Sequence, residues 1–437
     1  MQAYQVVMNN LDVVILLILL SSLFLYLNNC WLKLSASIGV TILALCTSAG
    51  ILLLESISPG LTKGFKQFIM NFNFADALFN FILSFLLFAG AMHINLRSLQ
   101  REKWTIFVLA TVGTFISAMV TGILLYYALP VINIKLDFIY CLLFGALISP
   151  TDPVAVLAMI KDSFISRRLE IRIAGESLFN DGFGVVLFLV VLQIVNAGID
   201  HVTPAMVASI FFKEALGGLL LGLLIGLLGF HCLKAVDNRY YELEVLITLL
   251  MVMGGTRLAA ILHVSAPLAM VVTGLCVSYE GRSQKRSNIA NIFVSKLWHL
   301  LDQLLNVVLF ILVGLKFIHM HFTTQYLLAG AIAIAVVLAA RCIGVLLPIH
   351  LFNFKRTFSK KAIFILTWGG LRGGIPIALA LALPAIEAKE FIITITYCVV
   401  LFSILVQGLT INRLMKEPAD TMVTKPAKTT REEVSIG

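Results

Sequence analysis

The chain has 437 residues, of which 60% are hydrophobic and 13% charged, where an average soluble domain carries about 25% charged residues. A water-soluble fold cannot hide so much apolar surface, which excludes a soluble enzyme, and the net charge of +9 then implies no nucleic-acid partner. The seven cysteines form no Cys-x-x-Cys pair and no His/Cys group has zinc spacing, so no redox, zinc or cofactor role is assigned.

The first apolar run, 11–28, has no Lys or Arg before it and reads as a retained membrane span rather than a cleaved leader. A membrane helix needs about 20 mostly apolar residues. Further runs of that kind follow at 35–54, 77–93, 105–129, 138–160, 173–196, 205–232, 243–260, 266–279, 297–316, 326–350, 362–384 and 391–412, which makes 13. Fusing 243–260 with 266–279 into one re-entrant segment is the alternative, with 12 spans. The fold class expected is an all-α polytopic membrane protein. Residues 1–413 form its transmembrane domain and 414–437 a short, polar, disordered tail.

Lys and Arg sort by loop. With the N-terminus outside and the C-terminus inside, the inner loops and tail hold 23 of the 32 basic residues and the outer loops 6. Arg257, Arg341 and Arg372 fall within spans. Such a bias supports this orientation and an odd number of spans.

Two spans are interrupted. Pro150 and Pro153 sit inside 138–160, and Gly369, Gly370, Gly373, Gly374 and Pro376 sit inside 362–384. Proline removes a backbone donor and clashes with the preceding turn. Broken backbone at membrane depth survives only when buried in protein or facing an aqueous cavity. As the fifth and twelfth spans, these two run in opposite directions, which suits an inverted-repeat secondary transporter with its site at the midplane.

Ionisable groups at membrane depth are costly and mark function. Among them are Asp152 between the two prolines, Glu176 and Asp181 in GESLFNDGFGVVLF, Arg341 in LAARCIGVLL, and Arg372 at the second break. Ser177 and Asp181 are four residues apart and share a helix face, while Glu176 and Asn180 share the adjacent stripe. Removal from water makes a carboxylate hold its proton more tightly. Such a group, assisted by a hydroxyl and a freed carbonyl, exchanges a hard cation for a proton as their activities change. Asp181 is the expected carboxylate for Na+ and H+, with Ser177 and the Thr151 carbonyl as further ligands. Asp152 would orient the site, and Arg372 would neutralise the half-helix dipoles at the crossing. Glu176 and Arg341 read as a structural ion pair. No role is assigned to Asp302, and His319 and His321 read as interfacial polar residues.

The segments FLLFAGAMHINLRSL (85–99), GALISPTDPVAVLAMIK (145–161), GESLFNDGFGVVLF (175–188), HVSAPLAMVVTGL (263–275), LLNVVLFILVGL (304–315), LAARCIGVL (338–346), GGLRGGIPIALAL (369–381) and VQGLTI (406–411) closely resemble the sodium/proton antiporter branch of the monovalent cation/proton antiporters, NhaP-type proteins and animal sodium/hydrogen exchangers. The resemblance implies a thirteen-span homodimer in the cell membrane, with a dimerisation domain, a six-helix ion-binding core and elevator-like movement. It also implies Asn180–Asp181 as the electroneutral signature, the pair Thr151–Asp152 at the fifth-span break, and a Glu176–Arg341 ion pair. Two places depart from the family. Some relatives carry a ligating Glu where this chain has Ala89, and relatives favour Ser-Gly where it has Ser265-Ala266.

The function expected is exchange of Na+, or Li+, for H+, serving pH homeostasis. Exchange of K+ for H+, or of both cations, uses the same ligand types and stays open. An intramembrane aspartyl protease built on Asp152 and Asp181 is the remote alternative. It is disfavoured because the two carboxylates have unlike surroundings and neither lies in a Gly-x-Gly-Asp sequence.

Overall fold

The computed structural model describes residues 2–57, 81–153, 156–157, 166–198, 202–236, 240–280, 288–319, 323–352 and 358–411. The helices in chain order are α1 (Gln2–Leu27), α2 (Ala36–Ile57), α3 (Leu83–His93), α4 (Leu96–Val108), α5 (Thr114–Ala128), α6 (Phe138–Ile148), α7 (Arg167–Ala197), α8 (Pro204–Ala235), α9 (Tyr241–Leu262), α10 (Ala266–Glu280), α11 (Asn288–Lys316), α12 (Thr324–Leu351), α13 (Lys360–Trp368), α14 (Gly374–Leu381) and α15 (Lys389–Phe402). No strand occurs among the described residues. Nine of their helical segments are long and apolar enough to cross a membrane, and α3, α6 and most of α10 are shorter apolar helices.

Several boundaries differ from the hydropathy reading, for reasons local to each end. The 105–129 span belongs to a continuous helix from Leu96 to Ile132, joined through a π turn at Leu109–Gly113. It starts early because the Asn95 side chain accepts the Ser98 amide at 3.3 Å and caps it. The Ser166 hydroxyl likewise caps α7 by accepting from Leu169 N at 3.4 Å, seven residues before the apolar run begins. Charged first turns lie outside a hydropathy window but inside the helix. The segments around 243–260 and 266–279 are two helices rather than one. His263 turns the chain between them with φ 52°, and its amide satisfies the end of α9.

Small residues let the helices approach closely, as membrane packing favours. A Cβ at Gly145 of α6 would stand 2.2 Å from the Ala118 carbonyl of α5. The interior is closed by large side chains with almost no exposure, among them Trp298, Phe88, Phe144, Phe188, Phe310 and Tyr397. Leucines on the other faces, such as Leu220, Leu224 and Leu228 of α8 and Leu246 and Leu250 of α9, are exposed and form an apolar outer surface. The 138–160 run is helical to Ile148, irregular through 149–153 and helical again at 156–157, while 362–384 divides into α13 and α14 around irregular residues 369–373.

Candidate functional site

The two irregular segments meet. Asp152 N donates to the Leu371 carbonyl at 2.7 Å, tying the proline-rich break to the glycine-rich one. Gly373 is required at this junction. A Cβ there would fall 2.2 Å from Asp152 Oδ2 and 2.8 Å from its Cβ. Arg372 locks the same junction from its other side. Its amide donates to Ser403 Oγ at 2.8 Å, and its Nη1 donates to the Pro150 carbonyl at 2.6 Å and to that of Ser149. Those carbonyls end α6, where no further helical amide can reach them, so a buried guanidinium meets the negative end of a half-helix.

Helix α7 supplies the other wall. Asn180, fully buried, spans Thr151: its Oδ1 accepts the Thr151 amide at 3.3 Å and its Nδ2 donates to Thr151 Oγ1 at 2.8 Å. Ser177 Oγ donates to the Thr151 carbonyl. One turn of α7 thus satisfies both backbone groups of Thr151, which the break would otherwise leave without partners. Ser177, Thr151 and Asn180 come together, Asp181 follows Asn180 on the same helix, and Asn180 touches the break through Thr151.

Asp181 is 8% exposed. Among the described residues none donates a hydrogen bond to its carboxylate. Its charge interacts with that of Asp152 and, with opposite sign, with that of Arg372. Asp152 is half-buried. The described residues contain no group of three or more His, Cys, Asp or Glu with metal-centre geometry. The Asp181 carboxylate, the Ser177 hydroxyl and the Thr151 carbonyl are oxygen donors, the class of ligand that hard cations take.

Glu176 points away from Asp181, as the helical spacing requires. Its Oε1 accepts Arg341 Nη1 at 2.6 Å, and the two side chains are 3% and 5% exposed. Arg341 also donates through Nη2 and Nε to the Leu366 carbonyl at 3.1 and 3.3 Å, so it joins α7, α12 and the end of α13. Gln407 Nε2 covers the neighbouring Trp368 carbonyl at 3.0 Å. Arg341, Thr367, Gly370, Arg372 and Gln407 line a small cavity beside this end.

Some of this was invisible to spacing alone. Ser403 receives the Arg372 amide from a distant helix. Arg172 of α7 binds Glu102 of α4 at 2.7 Å and lies 4.3 Å from the Phe358 ring centroid, an ion pair whose partners are separated by loops. Ala89, at the place of a ligating Glu in some relatives, is completely buried in α3. Ser265 caps α10 by accepting Leu268 N at 3.4 Å. His321 and the tail lie outside the described residues, as does the side chain of His319.

Residues 18–417 match the family described as "Sodium/hydrogen exchanger, transmembrane". The chain is 41% identical over 411 residues to the Na(+)/H(+) antiporter NhaP of Pseudomonas aeruginosa, covering 93% of this chain and 96% of that protein. It is 32% identical over 348 residues to the Na(+)/H(+) antiporter NhaH of Halobacillus aidingensis, covering 79% and 83%. In fold it is similar to the sodium proton antiporter MjNhaP1 of Methanocaldococcus jannaschii, with a TM-score of 0.73 and 20% identity over 94% of this chain and 98% of that one. With a match that spans nearly all its helices, the chain is a multi-pass membrane protein and belongs to the sodium/hydrogen exchanger family.

Proposed function

We propose that this protein exchanges sodium for protons across the cell membrane, with Asp181 as the group for which the two ions compete. The observation that carries this reading is a buried carboxylate with no hydrogen-bond donor among the described residues, set beside two broken helices. A carboxylate already saturated by donors would have no reason to prefer a cation. This one keeps its lone pairs for an incoming ion. The Thr151 carbonyl has a second lone pair beyond the one used by Ser177, and with Ser177 Oγ it supplies neutral oxygens. Asp152 orients the junction and contributes field, and Arg372 offsets the half-helix dipoles.

The exchange is one cation for one proton. Asn180 cannot titrate, and the Glu176 carboxylate is engaged by Arg341 at 2.6 Å rather than by a transported ion. A single titrating carboxylate then carries either one Na+ or one H+, and the loaded site has the same charge in both directions. Alternating access is elevator-like, with the core containing both breaks moving against a dimerisation domain in a homodimer. The N-terminus is outside and the 414–437 tail cytoplasmic. Potassium remains the competing cation, since carboxylate, hydroxyl and carbonyl ligands serve both ions.

The test is dye-reported proton movement in proteoliposomes of the purified protein, with sodium, lithium and potassium added in turn, for wild type and Asp181→Asn. Sodium-driven proton release by wild type and its loss in a folded Asp181→Asn is the expected result. Full activity in Asp181→Asn sinks the site assignment, and a response to potassium alone replaces the cation.

A further inference from the structure

Helix α11 carries an acidic residue that the exchange scheme above does not use. Trp298, Leu305 and Leu309 are buried, and Asp302 and Asn306 on the same stripe are half-buried, while Gln303 and Leu304 are exposed. The spacing of three and four residues puts all five on the inward face. A carboxylate on the inward face of a membrane helix is costly to keep there.

Its place relative to the site follows from the packing. Leu309 abuts Gly374, where a Cβ would come 2.5 Å from Leu309 Cγ, and the preceding Gly373 lies against Asp152. Asp302 is two helical turns, about 10 Å, from that contact along the same face. Asn306, one turn closer, donates Nδ2 to Asp302 Oδ1 at 3.2 Å and to the Asp302 carbonyl at 3.0 Å, which holds the carboxylate on the stripe. The charge of Asp302 interacts with that of Asp152, and the charge of Asp152 with that of Asp181. Burial deepens along the series, from half-buried Asp302 and Asp152 to Asp181 at 8% exposure.

We infer that Asp302 is a positioning residue of the exchange cycle: an outer carboxylate, aligned by Asn306, that draws the entering monovalent cation toward Asp152 and so raises its occupancy at Asp181. The inference rests on the exchange reading above. A fixed negative charge beside a narrow, low-dielectric entry concentrates cations locally. At a separation of about 10 Å and intermediate dielectric, its loss lowers cation occupancy about three- to tenfold. The effect falls on apparent affinity, because Asp302 does not touch the ion at Asp181 during transfer.

The test measures sodium-dependent proton release in proteoliposomes across a range of sodium concentrations, for wild type, Asp302→Asn and Asp302→Glu. Asp302→Asn is expected to raise the apparent KM for sodium about three- to tenfold, with a much smaller change in maximal rate, and Asp302→Glu to restore KM. An unchanged KM in Asp302→Asn overturns the inference while leaving sodium/proton exchange standing. A fall in maximal rate at constant KM, shared by both variants, also overturns it and shows a structural role. A wild type that moves no protons with any cation overturns both readings together. Should Asp302→Asn fail to fold, Asn306→Asp decides: a second charge on the stripe lowers KM if the inference holds, and an unchanged or raised KM refutes it.

Discussion

Breaking the Glu176–Arg341 pair should be among the most destabilising single changes in this protein, and the damage should be unequal on its two sides. Glu176→Ala strands a guanidinium that is 4% exposed at residue level, with the Leu366 carbonyl its one remaining partner among the described residues. Removing one partner of a buried pair costs about 3–5 kcal/mol. Arg341→Ala strands the Glu176 carboxylate, 2% exposed, and in addition uncovers the Leu366 carbonyl in the last turn of α13. An unsatisfied buried acceptor adds about 1–3 kcal/mol. Arg341→Ala is therefore the worse of the two. Arg341→Lys should recover only part, because a point charge cannot serve Oε1 and the carbonyl as the guanidinium fork does. The double Ala variant removes both stranded charges and should be less damaged than the sum of the singles by about 1 kcal/mol or more. Thermal unfolding in detergent, followed by tryptophan fluorescence at a fixed scan rate, ranks the four variants. Additive damage in the double variant, or a Glu176→Ala midpoint equal to wild type, would refute the pairing argument.

Three further outcomes are expected. Gly373→Ala places a methyl 2.2 Å from Asp152 Oδ2 and should cut exchange by more than about tenfold by levering the breaks apart, whereas Gly50→Ala, which meets nothing within 4 Å, should leave transport intact; similar rates in the two variants would contradict this. Exchange by wild type should not respond to a potential imposed with valinomycin and potassium gradients, while Asn180→Asp, which adds a second titratable carboxylate, should become potential-dependent; a wild-type rate that rises severalfold with potential would rule out one-for-one exchange. Accessibility labelling should find Met1 outside and Gly437 in the cytoplasm, and finding both ends on one side would require an even number of spans.

Much of this fold was legible because its causes are local. Apolar runs report the helices, since a span must satisfy its own backbone and present apolar side chains to lipid. Pro150 and Pro153 announce their break because a missing amide and a clash do not depend on what lies nearby. The Glu176–Arg341 pair was foreseeable from cost, as neither charge tolerates a membrane interior alone. Helix ends were less legible. Ser166 and Asn95 start their helices through side-chain caps within charged segments that hydropathy reads as loop. What only the tertiary structure decided are the partnerships between distant elements. The two backbone groups of Thr151 are satisfied by Ser177 and Asn180, 26 and 29 residues away. The Arg372 amide finds Ser403, 31 residues on, and Asp302 gains its meaning from the contact of Leu309 with Gly374, 65 positions along the chain. Sequence periodicity states which face a residue occupies. Which helix lies against that face depends on how every helix packs at once, and in this protein that packing brings two breaks and a row of carboxylates to one place.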